Sequence, residues 1–271
     1  MTHSTFAQQK DFRVVAIEET PRQMEASLFA SADQMIVKKY LPEGGAPASM
    51  SSFVLLAGED TILFDAGLGG DTWGKKLEAI PDFKPENVKL ILLTHLHGDH
   101  FGGLLQGNDR RFPHAKVLCS MPEYDHWLPK DGKPRTPQLE KIKAVYGADF
   151  STFNLDDLVF ANSSVKVKAW DAVGHTPGHT AFLIESSKAK EENFLIVGDL
   201  LHAAALQFPA PEICSRYDMD PSKTIAARKR ILDFAAQEKI SIAGMHFPSP
   251  HIGKVEKNDQ GGYLFRADTG H

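Results

Sequence analysis

The sequence predicts an α/β protein with strands enough for two sheets and helices to cover them, on three observations. Short apolar runs rich in β-branched and aromatic residues alternate along the chain with amphipathic stretches of helix length. No apolar run approaches the ~20 residues of a membrane span. A chain of 271 residues, 42% hydrophobic and 24% charged, is long enough to hold a core without disulfide staples. Residues 1–271 are expected as a single domain, since no repeat, low-complexity tract or linker divides them, with 1–11 as a flexible N-terminal extension. Two sheets with helices outside accommodate this order, although periodicity alone does not fix the topology.

The elements follow in chain order. Phe12–Ile17, Phe53–Ala57, Thr61–Phe64 and Lys89–Thr94 read as strands, being short and bounded by Gly, Pro or Asp, and Gly58-Glu59-Asp60 reads as a hairpin turn. Lys116–Ser120, Val165–Trp170, Ala181–Glu185 and Phe194–Val197 continue the series. Helices are predicted at Thr136–Tyr146 and Pro221–Glu238. In the second, Asp220 is placed to cap the open N–H groups, Pro221 suits the first helical position, and Ala227, Ile231, Phe234 and Ala235 share a face. Ile240–Ala243 and Tyr263–Phe265 are late strands.

Composition excludes several classes. Thirty Lys+Arg against 35 Asp+Glu leave a formal charge of −5, without the basic surplus of a nucleic-acid binder. Arg228, Lys229 and Arg230 read as a solvated helix face. Met1 to Lys10 is polar and lacks the pattern of a signal peptide. The expected location is cytoplasmic, or periplasmic or secreted had a leader been removed, and no membrane or nucleic-acid partner is expected. Cys119 and Cys214, alone in a chain this long, read as free buried thiols.

The informative segment is Thr94-His95-Leu96-His97-Gly98-Asp99-His100-Phe101-Gly102-Gly103, directly after an apolar strand. Strand side chains alternate faces, so His95 and His97 leave the strand end on one side. Asp99 and His100 fall in the turn opening the next helix, where Gly98, Gly102 and Gly103 let backbone pack closely. Neutral imidazoles and a carboxylate converging from one loop are the donors a borderline-soft divalent metal takes. Other strand ends carry matching residues. Gly174-His175-Thr176-Pro177-Gly178-His179-Thr180 precedes the strand from Ala181, Phe194–Val197 ends in Gly198-Asp199, and Ile240–Ala243 ends in Gly244-Met245-His246.

With these residues the chain resembles the metallo-β-lactamase superfamily, whose His-x-His-x-Asp-His pattern is followed by a His, a bridging Asp and a final His. The matching residues are His95, His97, Asp99, His100, His179, Asp199 and His246. The superfamily's earlier strand-ending Asp-x-Gly matches Asp65 in Phe64-Asp65-Ala66-Gly67. The resemblance runs from about Ser52 to the C-terminus. It implies an αββα metallo-β-lactamase sandwich, two mixed β-sheets flanked by helices, with two divalent metal ions on the rim between the sheets. His95, His97 and His179 would hold the first ion, and Asp99, His100 and His246 the second, with Asp199 and a hydroxide bridging. Asp65 would orient ligands from behind. Zinc is expected, and manganese, iron, cobalt and nickel accept the same donors.

The resemblance further implies hydrolysis of an ester-like bond by the bridging hydroxide, with Asp99 as the catalytic residue that aligns the nucleophile and relays a proton. No Gly-x-Ser-x-Gly elbow is present. Gly67-Leu68-Gly69-Gly70 lacks the Lys-Ser/Thr ending of a phosphate loop and reads as a turn. Serine-independent β-lactamases commonly carry Cys where Asp199 stands. Glyoxalase-II-like thioesterases share the seven ligands but add a helical domain after the last His, for which the segment after His246 is too short. The stretches 198–208 and 245–253, with Gly262-Tyr263, are similar to the methyl parathion hydrolase branch and the related acyl-homoserine lactonases. That similarity implies a small-molecule lactone, aryl ester or phosphotriester as substrate, and a homodimer. The alternatives are a thioesterase and, from another class, a metal-binding interaction module, against which the complete ligand set speaks.

The remaining candidates are minor. His202 and Trp127 are candidate substrate-pocket residues, the competing role being a helix-start histidine with a structural partner for His202 and core packing for Trp127. His175 reads as a turn residue bonded to backbone, His251 as a surface residue, and Tyr217 as an unassigned candidate for donating to a substrate carbonyl.

Overall fold

The computed structural model describes residues 6–9, 11–129 and 132–268. The first half of the chain forms β1 (Phe6–Gln8), β2 (Arg13–Glu25), α1 (Gln34–Tyr40), β3 (Gly45–Ala57), β4 (Asp60–Phe64), α2 (Asp71–Glu78), β5 (Val88–Leu92) and α3 (Gly98–Phe101). A short ribbon of β6 (Leu105–Gln106) and β7 (Asp109–Arg110) leads to β8 (Lys116–Ser120), α4 (Met121–Trp127), α5 (Pro137–Tyr146) and β9 (Phe150–Phe153). The second half forms β10 (Leu158–Ala161), β11 (Val165–Asp171), β12 (Thr180–Ser186), β13 (Phe194–Ile196), α6 (Ala204–Gln207), α7 (Pro221–Glu238), β14 (Ser241–Ala243), β15 (Ile252–Lys257) and β16 (Tyr263–Ala267).

Two seven-stranded sheets result, one in the order β1-β2-β3-β4-β5-β8-β9 and the other running from β10 to β16 in chain order. Both are mixed: β4, β5, β8 and β9 pair in parallel in the first, and β13 with β14 in the second. Alternation sorts the side chains of each strand. Phe53, Leu55 and Phe64 meet Phe182, Ile184, Phe194 and Ile196 between the sheets. Val54 and Leu63 face outward onto Trp73, Leu77, Leu139 and Ile142. Leu183, Leu195 and Ile242 face Ala227, Ile231 and Leu232 of α7. Burying each such Leu, Ile or Phe contributes about 1.5–3 kcal/mol, so the three apolar layers hold an αββα sandwich together.

Most predicted elements coincide with observed ones. Thr136 caps α5 by accepting the Leu139 N–H, and Asp220 caps α7 by accepting that of Lys223. Ala57 pairs with Asp60, so the hairpin turn is Gly58-Glu59, with Gly58 at φ 64°. Phe6–Gln8 is a strand paired with β2 rather than part of a free extension, and residues 1–5 and 10 lie outside the described residues. The largest departure is the β2–β3 hairpin, which continues past the expected end at Ile17 to pair Glu25 with Gly45. Glu18-Glu19-Thr20-Pro21-Arg22 lacks the apolar alternation of a half-buried strand. Among the described residues it pairs with β3 alone, β1 pairing with Arg13–Val15, and Pro21 is tolerated where a strand lacks a second neighbour. Cys119 and Cys214 are both free, the first buried and the second half-buried. Among the described residues no helix is long and apolar enough to cross a membrane.

Candidate metal centre

Parallel pairing brings the C-terminal ends of β4, β5 and β8 to one side of the first sheet, and those of β13 and β14 to one side of the second. The loops leaving these ends meet at a common rim. Asp65 follows β4, the His95–His100 loop follows β5, His175 and His179 lie between β11 and β12, Asp199 follows β13, and His246 follows β14. Close backbone approach makes this possible at Gly103, where a Cβ would lie 2.2 Å from the Ala66 carbonyl oxygen.

Two groups of donors face each other there. His95 Nε2 and His97 Nδ1 are 2.9 Å apart, and His175 Nε2 is 3.1 Å from the same His97 atom. Asp199 Oδ2 completes this group at 3.6 Å from His175 Nε2 and 3.9 Å from His95 Nε2. In the other group, Asp99 Oδ1 is 3.7 Å from His100 Nε2, and Asp99 Oδ2 is 4.0 Å from His246 Nε2. Asp199 reaches both groups, since Oδ1 is 3.3 Å from His100 Nε2 and Oδ2 is 3.0 Å from His246 Nε2.

The donor chemistry fits divalent ions. Tetrahedral zinc with bonds of about 2.0–2.1 Å sets its nitrogen ligands roughly 3.3 Å apart, close to the spacing of His95, His97 and His175. His100 Nε2 and Asp199 Oδ1 are buried polar atoms without a hydrogen-bond partner, an arrangement that costs free energy unless a further group satisfies it. Burial holds His95 well below the ordinary histidine range, and His97 and His175 down at about 4, so these rings are neutral near pH 7, as metal ligation requires. Asp199 behaves oppositely. Burial opposes its charge, but His246 and His100 outweigh burial and hold it well below the usual carboxylate range.

Buried carboxylates orient these donors from behind. Asp65, at φ 55°, accepts the Thr94 N–H and hydroxyl at 2.7 Å each and lies 2.9 Å from His100 Nδ1, which leaves His100 Nε2 facing the cluster. Glu123 of α4 takes four donors: the Leu96 N–H at 2.9 Å, the Trp127 indole N–H at 2.6 Å, the Thr176 hydroxyl at 2.7 Å and the Gly178 N–H at 2.9 Å. It thereby joins the loop carrying His95 and His97 to the loop carrying His175. His246 Nδ1 is fixed at 2.8 Å from the Ser49 carbonyl.

Four expectations from the sequence need correction. His179 does not join the donors. Its Nδ1 donates to the Ala172 carbonyl and its Nε2 accepts the Asp199 N–H, both at 2.9 Å, so no lone pair remains. His175, expected as a turn residue, takes that place. Trp127 is absent from the lining of the cavity above the cluster, and instead sets its ring edge-on to His97 at 5.4 Å. His251, expected at the surface, is buried with Nδ1 2.9 Å from the Phe247 carbonyl. His202 does line the cavity, with Nε2 3.5 Å from Asp199 Oδ2 and its ring stacked on His246 at 5.3 Å.

The cavity measures about 570 Å³. His97, Asp99, His175, Asp199, His202 and His246 form its floor, and the β2–β3 hairpin and following turn supply Met24, Leu28 and Met50 as an apolar wall. Arg22, Arg216 and Tyr217 stand at its mouth. Neither the hairpin extension nor the wall was visible in the sequence pattern.

The family model described as the metallo-beta-lactamase superfamily matches residues 46–239. A crystal structure of the hydrolase AbOPH of the beta lactamase superfamily aligns over 100% of both chains at 28% identity, with a TM-score of 0.85. AidC, a dizinc quorum-quenching lactonase solved with an N-hexanoyl-homoserine product, aligns over 99% of both chains at 23% identity, with a TM-score of 0.79, and so shares the fold. An atrochrysone carboxyl ACP thioesterase of Pseudocercospora fijiensis is 26% identical over 55% of this chain. This chain spans 36% of that relative's length, and 40% of a lactamase-like protein from Aspergillus fumigatus that it also matches.

Proposed function

We infer the function from one premise: this chain belongs to the metallo-β-lactamase superfamily. It is a hydrolase of that type, and its donor cluster takes two divalent metal ions, zinc foremost. His95, His97 and His175 face one ion, Asp99, His100 and His246 face the other, and Asp199 lies between. The observation that carries this reading is the pair of buried atoms His100 Nε2 and Asp199 Oδ1, 3.3 Å apart beneath an open cavity, neither of which makes a hydrogen bond.

When bound, two such ions supply Lewis acidity and bring the ionisation of water into the neutral range. The protein's own residues do the rest. Asp99 keeps 27% of its side chain exposed at the cavity floor, where its carboxylate is placed to hold and pass a proton. His202 borders the space where an ester-like group would sit. Met24, Leu28 and Met50 receive an apolar arm and exclude water around it. The substrate is a small molecule with an ester-like bond: a lactone, an aryl ester or a phosphotriester. The thioesterase relative favours a second reading, in which the bond cleaved over the same floor is that between an acyl carbon and sulfur, the thiol being the leaving group.

Initial rates of zinc-loaded protein on a lactone, an aryl ester, a phosphotriester and a thioester separate these readings, with His97→Ala as the control. A lead for an oxygen ester that vanishes in the variant supports the first. Turnover of the thioester alone supports the second. Inertness of all four, or activity that survives in His97→Ala, counts against both.

A further inference from the structure

The turn before α7 and the helix itself share a charged pair, Asp218 and Arg228, and Arg228, expected on a solvated helix face, is buried instead. Asp218 is buried, with Oδ1 3.1 Å from His175 Nδ1 and Oδ2 accepting the Ser215 N–H at 2.8 Å. Behind it, Arg228 of α7 is 0% exposed, with Nη2 3.8 Å from Asp218 Oδ2. The same guanidinium donates from Nε to the Leu200 carbonyl at 2.7 Å, and from Nη1 to those of Pro211 at 2.9 Å and Ile213 at 2.7 Å. Leu200 adjoins Asp199. One cation therefore ties the loop of Asp199 to the turn of Asp218, and Asp218 reaches the imidazole of His175. The backbones agree, for the Met219 N–H donates to the His175 carbonyl at 3.1 Å, and the Asp220 N–H to that of Gly174 at 2.8 Å.

A buried arginine is costly, and an apolar side chain of similar volume would fill the same space without desolvating a charge. The helix does not need Asp218 either, because Asp220 already caps α7. What the pair does accomplish is directional. An imidazole whose Nδ1–H is taken by a carboxylate presents its Nε2 lone pair on the opposite side, and here that side faces His97 and Asp199.

We propose that Asp218, held in place by Arg228, is a positioning residue for His175, fixing its tautomer and ring plane so that Nε2 is presented to a metal ion. The inference rests on the reading of His175 as a ligand. It assigns to two residues from the α6–α7 segment and α7 the affinity of the ion held by His95, His97 and His175, and leaves the Asp99–His100–His246 ion alone.

The experiment is zinc binding to metal-free wild type, Asp218→Asn, His175→Ala and the double variant, read by competition with a chromophoric chelator, with the unfolding midpoint of each metal-free protein measured alongside. The expected result is a 10–100-fold loss of affinity at one of two sites in Asp218→Asn, the other unchanged, and no further loss when the same substitution is added to His175→Ala. Asp218→Asn with both affinities at wild-type level overturns the proposal. So does equal weakening of both sites together with a large fall in the metal-free midpoint, which marks a general folding defect. If Asp218→Asn fails to fold, Arg228→Lys takes its place, keeping the charge but not the fork, and is held to the same criteria. Failure of the underlying reading shows separately, as retention of both sites by His175→Ala, and that result overturns the positioning role as well.

Discussion

The Nε2 of His179 accepts the backbone N–H of Asp199 at 2.9 Å, while its Nδ1 donates to the Ala172 carbonyl at the same distance. His179 thus holds in place the residue lying between the two donor groups without belonging to either. His179→Ala leaves a buried N–H and a buried C=O unpaired and opens a void, at a combined cost of about 2–5 kcal/mol. The expected outcome is a lower denaturant midpoint with two metal ions per folded chain, whereas His175→Ala retains one. Metal analysis of both variants checks the exchange of roles, and a stable His179→Ala protein with one ion would reverse it.

Glu123 is the joint between the two ligand loops. Each of its oxygens takes two donors, from Leu96 and Trp127 on one and from Thr176 and Gly178 on the other. In Glu123→Gln the amide nitrogen must face one of these pairs, donor against donor. Two buried donors then lose their acceptor, at about 1–3 kcal/mol each. Burial pushes the Glu123 carboxyl upward, so the neutral form is not foreign to the site. Even so, amide hydrogens cannot replace an acceptor. Chemical denaturation of the metal-free variant is expected to show a loss of roughly 2–6 kcal/mol, and a change within about 0.5 kcal/mol, the size typical of a neutral surface substitution, would show that the joint is dispensable.

Metal removal should be felt as stability. A ligand that binds only the folded chain adds RT ln(1 + [L]/Kd), about 2.7 kcal/mol at a hundredfold excess over Kd, or roughly 5–10 °C in Tm for a chain of this size. Thermal unfolding of chelator-stripped protein with and without zinc tests this. The rise should shrink in His97→Ala, which removes a donor 2.9 Å from one ligand and 3.1 Å from another. An unchanged Tm in the wild type would leave the cluster without a metal.

How far the sequence was legible depends on the range of the forces involved. Strand alternation and the Asp220 cap of α7 are local, and they were readable. His95, His97, Asp99 and His100 stand in one loop and were readable for the same reason. The choice between His175 and His179 was not, because it turns on which ring a distant backbone N–H, that of Asp199, happens to satisfy. Glu123, Asp218 and Arg228 are buried charges whose partners come from other segments, and single residues of these types ordinarily read as surface. The extension of β2 past Ile17 escaped notice because Glu18-Glu19-Thr20-Pro21-Arg22 carries no apolar alternation.

That extension matters most for selectivity. Met24, Leu28 and Met50 are buried at 8%, 7% and 9% exposure, and the Arg22 guanidinium rests on the Met50 sulfur at 3.1 Å. An acyl arm laid on this wall gains about 0.8 kcal/mol for each methylene withdrawn from water. Leu28→Ala withdraws the surface that some two methylenes would cover, so it should lower kcat/KM for a ten-carbon acyl ester about tenfold relative to a four-carbon one. The wall touches the arm equally before and during reaction, and uniform binding of that kind moves KM and leaves kcat in place. A chain-length series of aryl esters, measured on wild type and variant, decides it. If the variant lowers kcat alike for every chain length, Leu28 acts by shaping the floor around Asp99 and His202, and the wall is not where the acyl arm lies.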